Sequence, residues 1–118
     1  MISLDRFEAI YLHRDPTDMR KSIDGLSVLV QGEMRSNPFA RALFLFCNKR
    51  RTHIKALYWD ETGFCVWLKR LEQERFPWPK RDPEDVVTIT KSQLQWLLQG
   101  YRHWRMPPHQ RVVYEKVF

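Results

Sequence analysis

Four carboxylates in the middle of the chain, Asp60, Glu61, Glu72 and Glu74, could do the most consequential chemistry. Acidic side chains gathered at one point hold a divalent cation, and a held cation activates water against a phosphodiester. Their spacing argues against that use. Asp60 and Glu61 precede Thr62-Gly63 in a stretch that reads as a hairpin turn, where acidic residues are ordinary. Upstream, Asp15, Asp18 and Asp24 lie close together. Asp18 and Asp24 are six apart, which on a helix turns them about 120° away from each other. The histidines, His13, His53, His103 and His109, are scattered, and no glycine-rich phosphate loop or spaced cysteine–histidine set occurs. Cys47 and Cys65 each sit in an apolar run and read as buried free thiols rather than a disulfide or zinc pair. No nucleophile–base–orienting set appears, so no catalytic residue, metal ion or cofactor is expected.

The cations carry more information. Residues 1–40 hold 5 basic and 6 acidic side chains, residues 41–81 hold 10 and 4, and residues 82–118 hold 5 and 4. The net charge of +6 is therefore concentrated in the middle third. A local excess of this kind suits an anionic partner such as DNA, although a basic solvated surface would have the same composition. The candidate phosphate contacts are Lys49, Arg50 and Arg51 in one tight turn, Lys55 and Lys69–Arg70 on neighbouring strands, and Arg75, with Lys80 and Arg81 extending the patch. Pairing Asp60 with Phe64 puts Lys55 opposite Lys69; a slip of one residue puts it opposite Arg70. Either register sets two like charges face to face, a repulsion that a bridging anion relieves.

The same region, Leu57–Pro79, contains three of the five tryptophans. Aromatics of this size are mostly core. Trp78 and Trp104 are the candidates for an exposed surface that docks on a protein partner.

The elements that must position these residues can be read in outline. Phe7–Asp15 suits a short strand ended by Pro16. Met19, Ile23, Leu26 and Val30 recur at helical spacing, with Thr17 or Asp18 as the cap. "ALFLFC", "THIKALYWD" and "FCVWLKRL" are three strands joined by short turns, an antiparallel meander. The proline-rich segment Glu74–Asp85 is irregular, and "VVTIT" is a brief fourth strand. Thr90 opens a helix whose stripe, Leu94, Leu97 and Leu98, runs up to Gly100. The fold class is α+β: an antiparallel meander of three to four strands packed against two or more helices on one face.

A chain of 118 residues, 43% hydrophobic and 29% charged, is long enough for one globular domain. The tail from about residue 101 is expected to be partly mobile. No apolar run approaches the roughly 20 residues of a membrane span, and the N-terminus has no basic-then-apolar leader. A cytoplasmic protein is expected.

"TDMRKSIDGL" (17–26), "LFLFCNKRRTHIKALYWDETGFCVWLKRLEQERFPWP" (43–79) and "ITKSQLQWLLQG" (89–100) resemble the second-reading-frame accessory proteins of the insertion-sequence family numbered sixty-six, often called TnpB-type. The resemblance runs from about Thr17 to Gly100, and "YRHWR" (101–105) departs from the pattern. It implies a bacterial mobile element in which this protein accompanies a larger, catalytic transposase, with no catalytic residue of its own. Two functions follow from residues and resemblance together. One is an accessory factor of DNA transposition that binds DNA through a basic face of the meander. The other is a module that docks on the transposase without touching DNA.

Overall fold

Six consecutive apolar residues, Ala42–Cys47, cannot alternate between core and water, so both faces of this strand must be covered. All six are buried. The computed structural model, which describes residues 3–80 and 86–102, places this strand at the centre of a five-stranded sheet. The strands are β1 (Ala9–His13), β2 (Ala42–Cys47), β3 (His53–Asp60), β4 (Gly63–Arg70) and β5 (Val86–Ile89). Their spatial order is β4-β3-β2-β1-β5. The helices are α1 (Ile23–Gly32) and α2 (Lys91–Leu98).

The meander β2-β3-β4 is as the sequence reads. β1 adds a feature that local pattern does not carry. It runs parallel to β2, Ala9 beside Ala42 and Leu12 beside Leu45, so β1-α1-β2 is a crossover unit. β5 closes the far edge antiparallel to β1, Ile89 beside Ile10. The sheet is thus mixed but mostly antiparallel, and the fold is α+β.

The helices lie on opposite faces, not on one. Leu26 and Val30 of α1 pack with Phe44, Phe46 and Leu57. Leu94, Leu97 and Leu98 of α2 pack with Leu43, Leu45, Ile54 and Ala56, and the loop residues Phe76 and Trp78 complete this second core. The crossover carries α1 over one face. The chain after β4 returns across the other.

Local chemistry explains the helix ends. α1 begins at Ile23, later than expected, and neither Thr17 nor Asp18 caps it. Thr17 is buried, with its amide donating to the Cys47 carbonyl at 2.8 Å. Asp18 instead clamps Arg20 at 2.7 Å, and that guanidinium holds its carboxyl down to about pH 2. α2 has a full capping box: Thr90 Oγ1 accepts from the Gln93 amide at 3.1 Å, and the Gln93 side chain accepts from the Thr90 amide at 2.8 Å. Its C-terminus closes in a Schellman turn, the Tyr101 amide donating to the Trp96 carbonyl and the Gly100 amide to that of Leu97, both at 3.0 Å. Gly100 takes the left-handed φ of +79° that this turn requires.

Candidate nucleic-acid interface

The β3–β4 register decides the fate of the proposed cation pair. Asp60 lies opposite Gly63, so Lys55 faces Leu68, Ile54 faces Lys69 and His53 faces Arg70. The turn holds two residues, Glu61-Thr62, rather than three, with Glu61 at a positive φ of 41°. Neither register expected from the sequence occurs, and no like-charge pair needs an anion. Lys55 and Lys69 point to opposite faces of the sheet.

Both lysines are engaged within the fold. Lys55 Nζ donates to the carbonyls of Met19 and Lys21, each at 2.7 Å, and ties the segment before α1 to the sheet. Lys69 Nζ donates to the Leu98 carbonyl at 2.9 Å. There it satisfies a free acceptor at the negative end of α2. Arg70 pairs with Glu72 at 2.8 Å on the surface.

The turn Asn48–Thr52 is built differently. Asn48 Oδ1 accepts from the Thr52 amide at 2.9 Å and from the His53 amide at 3.0 Å, which fixes the turn from within. Arg51 sits at a φ of +61°, in the left-handed region. Lys49 and Arg50 are left exposed at the tip.

The loop after β4 is fastened to this turn. The Leu71 amide donates to the Thr52 carbonyl at 2.9 Å, and the Phe76 amide to the Arg51 carbonyl at 2.7 Å. A Cβ added to Gly100 would lie 3.3 Å from Glu74 Oε2, so the end of α2 also meets this loop. Three separate segments therefore converge at one end of the molecule and bring Arg51, Arg75 and Arg102 around a cleft of about 870 Å³. Gln73, Glu74, Phe76, Pro77, Gly100 and Tyr101 complete its lining. Sequence reasoning had Arg51 and Arg75 but missed Arg102, whose position depends on the Schellman turn after α2. The "LLQG" helix stop was the signal that could have found it.

At this end several cations gather without acidic partners; Lys21, Arg35 and Lys80 likewise pair with no carboxylate among the described residues. Elsewhere Arg6 pairs with Asp60, Arg20 with Asp18, Arg41 with Glu8 and Lys91 with Asp5. Among the described residues, Lys49, Arg50, Arg51, Arg75 and Arg102 pair with no carboxylate.

Trp78 is not an exposed anchor. It is only 7% exposed, and its Nε1 donates to the His13 carbonyl at 3.1 Å. Flanking prolines hold the loop so that this ring and Phe76 drop into the core beside α2. Trp104 lies outside the described residues, as do Arg81 and the tail from residue 103. The exposed aromatic surface is elsewhere: Phe39, 52% exposed, meets Trp59 at 5.0 Å and Phe64 at 5.2 Å between ring centres.

The acidic residues do not assemble. Asp60 accepts from Arg6 at 2.9 Å at one end of β4, whereas Glu72 and Glu74 follow its other end. Among the described residues, no three potential ligands could share a metal ion. Nor is any helix among them long and apolar enough to cross a membrane.

The family described as "IS66 Orf2 like protein" matches residues 8–108. Two proteins of Sinorhizobium fredii (strain NBRC 101917 / NGR234) are similar. The uncharacterized protein y4hO is 33% identical over 98 residues, covering 83% of this chain and 84% of its own. The uncharacterized protein y4jC is 32% identical over 79 residues, covering 67% and 68%. No solved structure matches. With the family pattern running from β1 through α2 and both relatives aligned over at least two thirds of their length, the chain belongs to the IS66 Orf2-like family and is a transposition-associated accessory protein.

Proposed function

We propose that this chain is a non-catalytic DNA-binding accessory factor of transposition. It grips the phosphate backbone with the end of the sheet where the β2–β3 turn, the post-β4 loop and the end of α2 meet. The observation that carries this reading is the set of cations without acidic partners there: Lys49, Arg50, Arg51, Arg75 and Arg102. Guanidinium forks suit phosphate oxygens, and a tight turn projects Lys49 and Arg50 far enough to meet a duplex. Among the described residues no helix presents a row of base-reading side chains, so the contacts position DNA rather than read its sequence. Lys55 and Lys69 contribute to folding, since their ammonium groups are held by backbone carbonyls.

Fluorescence anisotropy on a labelled duplex, with salt titrated, tests this. Five phosphate contacts predict a slope of log affinity against log salt of about −4.5. Arg50→Glu and Arg75→Glu should each weaken binding and flatten the slope by about 1. Lys55→Met should leave the affinity of the folded protein unchanged. Absence of binding at low salt would overturn the reading.

A second reading is docking on the transposase. The partly exposed cluster of Phe39, Trp59 and Phe64 favours it, because aromatic side chains at a surface are common anchors of protein interfaces. Complex formation that survives high salt and fails on Trp59→Ala would support it.

A further inference from the structure

The arginine cleft has a shape and a lining that a duplex cannot use fully. It is concave, and its volume of about 870 Å³ lies within the range of about 300–1,000 Å³ typical of small-ligand pockets. Pro77 gives it apolar surface beside the buried Phe76, and Tyr101 adds a half-buried aromatic ring. That ring is placed by the Schellman turn and by its edge contact with Trp96, 6.3 Å between centres. Arg51, Arg75 and Arg102 come from three different segments, and all three side chains are exposed. Arg51 holds a φ of +61°, a conformation unfavourable for an arginine that the Asn48-centred turn enforces.

A phosphate group needs only the cations. A ring, an apolar floor and polar side chains beside them match the other half of a nucleotide. In a duplex the bases are stacked inside the cylinder and cannot enter a cleft. An unpaired strand offers base and phosphate together.

We propose that the cleft bounded by Arg51, Arg75, Phe76, Tyr101 and Arg102 is a binding site for an unpaired nucleotide of single-stranded DNA. The guanidiniums take the phosphate and Tyr101 stacks on the base. The Glu74 carboxylate at the same rim repels phosphate, which directs the backbone to the arginine side. It leaves an acceptor for a base N–H, such as N3–H of thymine. This inference rests on the DNA-binding reading above and narrows it to the form of DNA that one part of the surface prefers.

Anisotropy on a labelled oligothymidylate, run beside the same assay on a duplex, separates the two. Tyr101→Leu keeps an apolar contact with Trp96 but removes the stacking ring. It should weaken oligothymidylate binding about 5- to 150-fold, the usual cost of losing one base stack, and leave duplex binding unchanged. A thermal midpoint for the variant guards against misfolding. Amide chemical shifts in the unmodified protein give a readout independent of any variant: oligothymidylate should move Gly100, Tyr101 and Arg102. Unchanged oligothymidylate affinity on Tyr101→Leu, or shifts confined to Lys49 and Arg50, would overturn the nucleotide cleft while duplex binding upholds the broader reading. Failure to bind either DNA would overturn both.

Discussion

Trp78 shows how one residue's role turns on burial. An indole beside prolines and cations has the composition of a contact residue, yet its ring fills the core and its N–H satisfies a strand carbonyl. Trp78→Ala should destabilise the protein by about 3–5 kcal/mol, the usual cost of emptying a buried aromatic site. Trp78→Phe, which keeps most of the volume and loses the hydrogen bond, should cost about 1 kcal/mol. Urea unfolding measures both, and an Ala variant as stable as the parent would contradict the anchoring role. Cys47 makes a second prediction at this scale. Burial pushes its thiol up to about 12, from an ordinary value of 9.0, outweighing the nearby charge of Arg51 and a backbone hydrogen bond. Burial, followed by contact with Cys65, also raises the Tyr58 phenol. In both groups the folded state resists ionisation. Their contribution to stability is complete below the unfolded pKa values and is lost as pH rises. The unfolding midpoint should therefore fall between about pH 9 and pH 12. Cys47→Ala should flatten that fall, and an equally steep loss in the variant would assign it to other groups.

Elements differ in how much of their design is local. α2 is specified almost wholly by adjacent residues: Thr90 and Gln93 start it, Leu94, Leu97 and Leu98 face the core, and Gly100 ends it. Its range and cap follow from sequence alone. Thr90→Ala should cost about 1 kcal/mol by thermal denaturation, because the Gln93 amide loses its acceptor. No loss would mean that tertiary packing alone holds the helix start. α1 was less legible. Its apolar spacing showed a helix, but Thr17 and Asp18 are spent on Cys47 and Arg20, so the helix starts at Ile23 with no side-chain cap. The ammonium of Lys55, from a strand more than thirty residues away, fastens the segment leading into it. The β3–β4 hairpin was legible in both strands but not in its turn, where one residue fewer than expected changes every cross-strand pair.

At the scale of the whole molecule, β2 is the shared wall of two cores, one under each helix. Its amides are bonded on both sides, to β1 and to β3. Native-state hydrogen exchange should be slowest in β2, with β4 and β5 at the sheet edges exchanging earlier. Protection of β5 equal to that of β2 would show that its outer edge is covered. The same architecture shapes the candidate site. The sheet separates Lys55 from Lys69, and one end of it gathers the cations of three loops.

The sequence alone determined the α+β class, the meander, the second helix with both its ends, the family resemblance and the basic middle third. These depend on neighbours within a few residues, where periodicity and capping chemistry act directly. Tertiary structure decided the parallel pairing of β1 with β2, the placement of helices on both faces, the burial of Trp78 and which cations stay free. Those outcomes depend on contacts between residues far apart in the chain. A lysine is a candidate for phosphate until a distant carbonyl accepts its hydrogen bonds. Lys55 and Lys69 were taken in this way, and Arg102 joined Arg51 and Arg75 because a helix end and a strand turn meet in space.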